Sequence, residues 1–210
     1  MNAEHRSLHP GINIGHTDLD APREAEPIMF GFWMFLMSDL VLFALLLATY
    51  SAMSLHGVAG GPEPRDVTDL ASAGIETALL LLSSFTFGLA SLALKYREDK
   101  RSLVLWLLVT AGLGLAFLGM EVRDFAKLVA EGAVPQRSGF LSAHFTLLGC
   151  HALHVASGIV WMLVLLFQLR LEGLQPVVRL RIMRLALFWH MLDVVWVAIV
   201  TFVFLSGAIL

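Results

Sequence analysis

Residues 31–50 read GFWMFLMSDLVLFALLLATY and carry one formal charge, Asp39. An α-helix rises about 1.5 Å per residue, so about 20 apolar residues cross about 30 Å of hydrocarbon. The stretch therefore reads as a membrane-spanning helix, with Asp39 close to its middle. A carboxylate at that depth is costly unless something offsets the cost, which makes Asp39 a candidate by default.

Working outward, the rest of the chain has the same character. Of its 210 residues, 58% are hydrophobic and 15% charged, and the mean hydropathy is +0.77. An average soluble domain is far more polar. Apolar stretches fall at about 28–53, 71–94, 103–118 running on past Glu121, 140–169 and 183–210. They contain Gly, Ser and Thr but little two-residue alternation, which argues against a β-barrel. The fold class is all-α: a polytopic membrane protein built as a bundle of five transmembrane helices.

Two regions follow, a polar N-terminal tail over 1–27 and a five-helix transmembrane domain over 28–210. The first apolar stretch is too long for the hydrophobic core of a signal peptide, so the N-terminus is expected to stay uncleaved. The tail, with His5, His9 and His16, reads as a solvated arm. The longest connection contains GVAGGPEPRD, a turn-rich linker, and no soluble domain fits between the spans.

The net charge of −3 carries no basic patch for nucleic acid. The single cysteine, Cys150, cannot make an internal disulfide and offers no copper or iron-sulfur cluster site.

Five spans put the two termini on opposite sides. Arg6, Arg23, Lys95, Arg97, Lys100, Arg101, Arg170, Arg179, Arg181 and Arg184 fall on the side of the N-terminal tail. Only Arg65, Arg123, Lys127 and Arg137 fall on the other. Cytoplasmic connections carry the excess of Lys and Arg, so the N-terminus is expected to be cytoplasmic and the C-terminus periplasmic.

Ser84 with Gly88, Gly112 with Ala116, and Ala152 with Ala156 put small residues four apart, a spacing that lets helices approach closely in lipid. Glu76 and Glu121 lie toward the outer ends of their spans, where water, Arg123 or Arg137 could serve them. No Lys or Arg occupies the centre of any span, which leaves Asp39 only histidines or neutral groups as partners. In span 4, His144, His151 and His154 share roughly one helical face. In span 5, Trp189, Asp193 and Trp196 recur at i, i+4, i+7, and His190 can pair with Asp193. A buried pair satisfies groups that are costly alone.

Two sharper readings compete with that structural one. A span 4 histidine and His190 could ligate a haem, as in a small haem-binding membrane anchor of a dehydrogenase, but His151 and His154 share one turn and cannot take opposite faces of one haem. Asp39, Glu76, Glu121 and Asp193 could form a proton relay, although no discontinuous helix or inverted repeat marks a self-contained pump.

GFWMFLMSD in span 1, ETALLLLSSFTFG in span 2, FLGMEVRDF in span 3, RSGFLSAHFTLLGCHALHVASG into span 4 and FWHMLDVVW in span 5 together resemble subunit III of haem-copper respiratory oxidases. The resemblance covers about residues 28–207. With five spans and PQRSGFLSAHF, it is most similar to the bacterial cytochrome bo-type ubiquinol oxidase branch; subunit III of a short cytochrome c oxidase is the alternative.

The resemblance implies a non-catalytic subunit of a proton-pumping oxidase in the bacterial inner membrane. It implies no catalytic residue, cofactor or metal ligand in this chain, with haems and copper held by subunit I. Subunit I is the implied direct partner, subunits II and IV belong to the same complex, and phospholipid is expected in a cleft between helices. Asp39 occupies the place of the family's intramembrane carboxylate, usually Glu, and is expected to be a lipid-cleft carboxyl. His151, His154, His190, Asp193 and Trp196 fall on the family's motifs as bundle-organising or lipid-contacting groups. Glu76 and Glu121 join them as structural candidates.

Overall fold

The computed structural model describes residues 21–58, 61–97 and 100–209, and all regular structure among them is helical. Five helices are long and apolar enough to cross a membrane. They are α1 (Ala21–His56), α2 (Leu70–Leu92), α3 (Lys100–Ala130), α4 (Gly139–Glu172) and α5 (Pro176–Ile199). α2 runs on through a wider turn, Ala93–Arg97, and α5 through Val200–Leu205 into a last turn, Ser206–Ile209. The tail histidines His5, His9 and His16 lie outside the described residues.

Local chemistry sets the helix ends. Asp69 caps α2 by accepting from the amides of Ala71 and Ser72 at 3.0 and 3.2 Å. Ser138 caps α4 by accepting from the Leu141 amide at 3.1 Å. Both satisfy donors that the first turn leaves without partners. Gly173 follows α4 with φ +74°, a backbone state that side chains disfavour, and Pro176 then starts α5.

That tight turn corrects one expected boundary. The segment 176–184 belongs to α5 and not to a connection, so Arg179, Arg181 and Arg184 are helical. Hydropathy places the start at Met183 because it counts arginine as fully polar. An arginine stem can instead lie along apolar surface while its guanidinium reaches a polar partner. Arg181 does so by donating to the Gln168 side chain of α4 at 2.8 Å. In the same way, α1 starts at Ala21, ahead of the expected boundary at 28, and α3 runs to Ala130 through Glu121, Arg123, Asp124 and Lys127.

α5 is the central element. Over its most apolar window 56% of residues are buried, against 11% for α1. α2 packs most extensively on α3, while α5 touches α4, α2 and α1. α1 thus lies on the periphery and presents Phe30, Trp33, Met34, Val41 and Leu45 outward.

Trp189 of α5 inserts between α3 and α4 at two glycines. A Cβ on Gly114 would sit 2.9 Å from its Cη2, and one on Gly158 would sit 3.1 Å from its Cζ3. The expected small-residue face at Gly112 and Ala116 points outward instead: both residues are exposed, and a Cβ on Gly112 would meet nothing within 4 Å. Spacing finds small residues, but the position of the bulky partner decides which of them are used.

Candidate functional site

The polar groups inside the bundle gather in three places. Between α1 and α4, the Asp39 carboxylate lies 3.9 Å from His154 Nε2. The other ring nitrogen of His154, Nδ1, is 2.8 Å from the Cys150 carbonyl. A carbonyl only accepts, so Nδ1 carries a proton and Nε2 is the nitrogen that faces Asp39. His154 is flanked by Phe43, with ring centroids 5.1 Å apart, and by Phe188, at 6.4 Å. One oxygen of Asp39 is buried without a hydrogen bond. A histidine thus faces this carboxyl, within the choice the sequence left, but at 3.9 Å the contact is too long for a hydrogen bond.

The second place is the seam between α2 and α5. Trp189 Nε1 donates to Ser83 Oγ at 3.1 Å, and Trp196 Nε1 donates to Thr77 Oγ1 at 3.1 Å. His190 Nδ1 lies 2.8 Å from Ser84 Oγ and 3.6 Å from Asp193. The contact of His190 with Asp193 within α5 is therefore the longer of the two, and the closer partner of His190 comes from α2. Both carboxylate oxygens of Asp193 are buried without a hydrogen bond. Sequence reasoning picked out Trp189, His190 and Trp196 but missed Ser83, Ser84 and Thr77 as their counterparts.

His151 is fully buried and donates from Nε2 to the Leu192 carbonyl of α5 at 3.3 Å. Its ring lies against Trp196 and Phe117, with centroids 5.2 and 5.7 Å away. His144 packs with Tyr50 and Phe140. The polar contacts of these two span 4 histidines therefore separate: His151 bonds to the backbone of α5, while His154 faces Asp39 of α1. Neither is a hydrogen-bond partner of His190 or Asp193.

The third place is a cavity of about 550 Å³ where α2 begins and α3 ends. Glu76 and Glu121 line it, 2% and 3% exposed, and Oε1 of each makes no hydrogen bond. His144 lines it too, with Nδ1 unpartnered. The arginines expected to serve these acids are engaged elsewhere. Arg123 pairs with Asp124 at 3.3 Å, and Arg137 donates to the Gly132 carbonyl at 3.3 Å. Asp124 in turn accepts from Ser72 Oγ, joining α3 to α2. Arg65 and Lys127 also line the cavity, but neither hydrogen-bonds to Oε1 of Glu76 or Glu121.

Among the described residues, no three or more His, Cys, Asp or Glu side chains converge so as to hold a metal ion. The observed contacts join helices in pairs: α1 to α4, α4 to α5, and α2 to α5 and α3.

Comparison with known proteins places this bundle. The family model for cytochrome c oxidase subunit III matches residues 19–208. The cytochrome bo(3) ubiquinol oxidase subunit 3 of Pseudomonas aeruginosa is 47% identical over 204 residues, 97% of each chain. That of Pseudomonas putida is 47% identical over 182 residues, 86% of each chain. The quinol oxidase subunit 3 of Bacillus subtilis is 39% identical over 197 residues, 91% of this chain and 96% of that one. This chain belongs to the cytochrome c oxidase subunit III family.

Proposed function

We propose that the chain is the third subunit of a bacterial terminal quinol oxidase that reduces oxygen to water and pumps protons. In this reading it is an accessory subunit without an active site. It packs directly on subunit I, which holds the haems and copper, shares the complex with subunits II and IV, binds phospholipid, and supports assembly and sustained turnover in the inner membrane. Its N-terminus is cytoplasmic and its C-terminus periplasmic.

The observation that carries the reading is the near full-length similarity to proteins named as subunit 3 of ubiquinol oxidases. The internal geometry suits a scaffold in that polar side chains link helices, Trp189 to Ser83 and Trp196 to Thr77 between α5 and α2 and His151 to Leu192 between α4 and α5. An exposed apolar α1 supplies a face for a neighbouring subunit. The second reading, subunit III of a cytochrome c oxidase, is favoured by the description of the family model itself.

Purification of the tagged chain from native membranes decides between them. The expected result is co-purification of a haem- and copper-bearing subunit with oxygen consumption driven by ubiquinol and not by reduced cytochrome c. Oxidation of cytochrome c would select the second reading. A reduced-minus-oxidised haem spectrum from the isolated chain would overturn both.

A further inference from the structure

α3 starts and α4 ends at the same boundary of the bundle, and between them runs a groove of about 700 Å³. Lys100 and Arg101 of α3 and Arg170 of α4 line its mouth. Its walls are Val104, Leu105 and Leu108 on one side and Leu166 and Phe167 on the other. Leu105, Leu108 and Phe167 are 58%, 51% and 64% exposed. Among the described residues, no carboxylate lines it.

We propose that this groove is a binding site for an anionic phospholipid, with the lipid phosphate on Lys100, Arg101 and Arg170 and one acyl chain between α3 and α4. The proposal gives the phospholipid of the functional reading a place, and of that reading it requires only that the helices span a bilayer.

Two features select this occupant. Cations at the headgroup level attract anionic lipid, while the interfacial position keeps them hydrated. Below them the walls carry no polar side chain: Leu108 is eight positions beyond Lys100, about 12 Å along the helix axis, and so within the hydrocarbon. A soluble anion would satisfy the mouth but leave the apolar walls uncovered. A zwitterionic lipid would place its own cation against three others.

The groove is also distinct from the Asp39–His154 contact. Phe167 and Arg170 lie roughly 160 to 220° around α4 from His154, so a lipid here is not one that touches Asp39.

The test is native mass spectrometry of the assembled complex, released from phosphatidylcholine nanodiscs doped with phosphatidylglycerol or with phosphatidylethanolamine. The complex with the unaltered chain is expected to retain phosphatidylglycerol in preference to the other two lipids. Lys100→Gln, Arg101→Gln and Arg170→Gln should each weaken that retention about fivefold, and the triple variant about a hundredfold. Leu105→Trp fills the groove without altering charge and should expel the lipid with the cations in place. Lys127→Gln, at the other end of α3, should change nothing. Were the triple variant to fail in assembly, Leu105→Trp and Arg170→Gln alone would carry the test.

Equal retention of phosphatidylglycerol by the Leu105→Trp complex would overturn the site, as would equal retention of phosphatidylethanolamine. So would a cross-link from position 105 to a partner subunit instead of to lipid. Lipid retained by every groove variant would leave the general lipid-binding reading intact and reject only this location.

Discussion

Gly114→Ala adds one methyl group at the most crowded point of the bundle. The new Cβ would lie 2.9 Å from Trp189 Cη2, 3.1 Å from Cζ2 and 3.2 Å from the terminal methyl of Ile159. Carbon atoms pack at about 3.5–4.0 Å, so something must move by about half an ångström or more. Trp189 has little room to retreat. Gly158 holds its opposite edge, Ser83 accepts from its indole nitrogen at 3.1 Å, and Phe87 stacks at a centroid distance of 6.3 Å. Overpacking of this kind costs about 1–3 kcal/mol, and replacing a mid-helix glycine by alanine returns up to about 1 kcal/mol. The net expectation is a loss of about 1–2 kcal/mol. Gly112→Ala supplies the control on the same helix, because its Cβ would meet nothing within 4 Å; it should be neutral or mildly stabilising. Heating the fluorescently tagged complex and measuring the fraction that stays monodisperse on gel filtration reads both. Trp189→Phe shortens the ring, so the double variant with Gly114→Ala should be more stable than the two single losses added together, by about 1 kcal/mol. If Gly114→Ala matches Gly112→Ala, or if the double variant is additive, Trp189 does not set the separation of α3 and α4.

Three further outcomes are expected. Ser83→Ala leaves the buried Trp189 indole N–H without its acceptor and should cost about 1–3 kcal/mol in the same heating assay, while Ser83→Thr keeps the hydroxyl and most of the stability; equal behaviour of the two would count against the bond. Asp39→Asn keeps the volume and polarity beside His154, so initial oxidase activity should be retained and the loss should appear during sustained turnover or after delipidation. Loss of the first turnovers in a fully assembled Asp39→Asn complex would make the carboxyl part of a proton path. Alkaline phosphatase fused after Leu210 should be active, since Lys and Arg concentrate on the side of the N-terminus; activity only with a cytoplasmic reporter there would reverse the topology.

The five spans were legible because length and hydropathy alone decide them, and the bilayer imposes a fixed distance on both. Their ends were not. The start of α5 was hidden under Arg179, Arg181 and Arg184, whose charges suggest a loop while Pro176 starts a helix. Asp39 was legible as a group that must meet a histidine or a neutral partner, but the choice of His154 depends on α1 packing against α4, and nothing local encodes that packing. The outward position of Gly112 and the inward position of Gly114 were equally hidden: two adjacent small-residue faces on one helix look alike until the site of Trp189 is known.

The seam between α2 and α5 shows where a further signal lay. Hydroxyls in the middle of a helix ordinarily donate to their own backbone. Ser83 donates to the Leu80 carbonyl at 2.8 Å and Thr77 to that of Ala73 at 2.6 Å. Each hydroxyl oxygen still has lone pairs to offer, and an indole N–H in an apolar bundle needs such an acceptor. The positions match in antiparallel register: Thr77 and Ser83 are six apart on α2, while their partners Trp196 and Trp189 are seven apart on α5. Ser84 and His190, each one residue later in its own helix than Ser83 and Trp189, meet at nearly the same level of the seam. A row of hydroxyls on one span and a row of buried N–H donors at nearly equal spacing on another therefore specify a pair of neighbours, their antiparallel direction and their relative depth. Hydropathy supplies none of these three, and in lipid, where apolar surface does not discriminate between helices, it is the polar matches that make one packing more favourable than another.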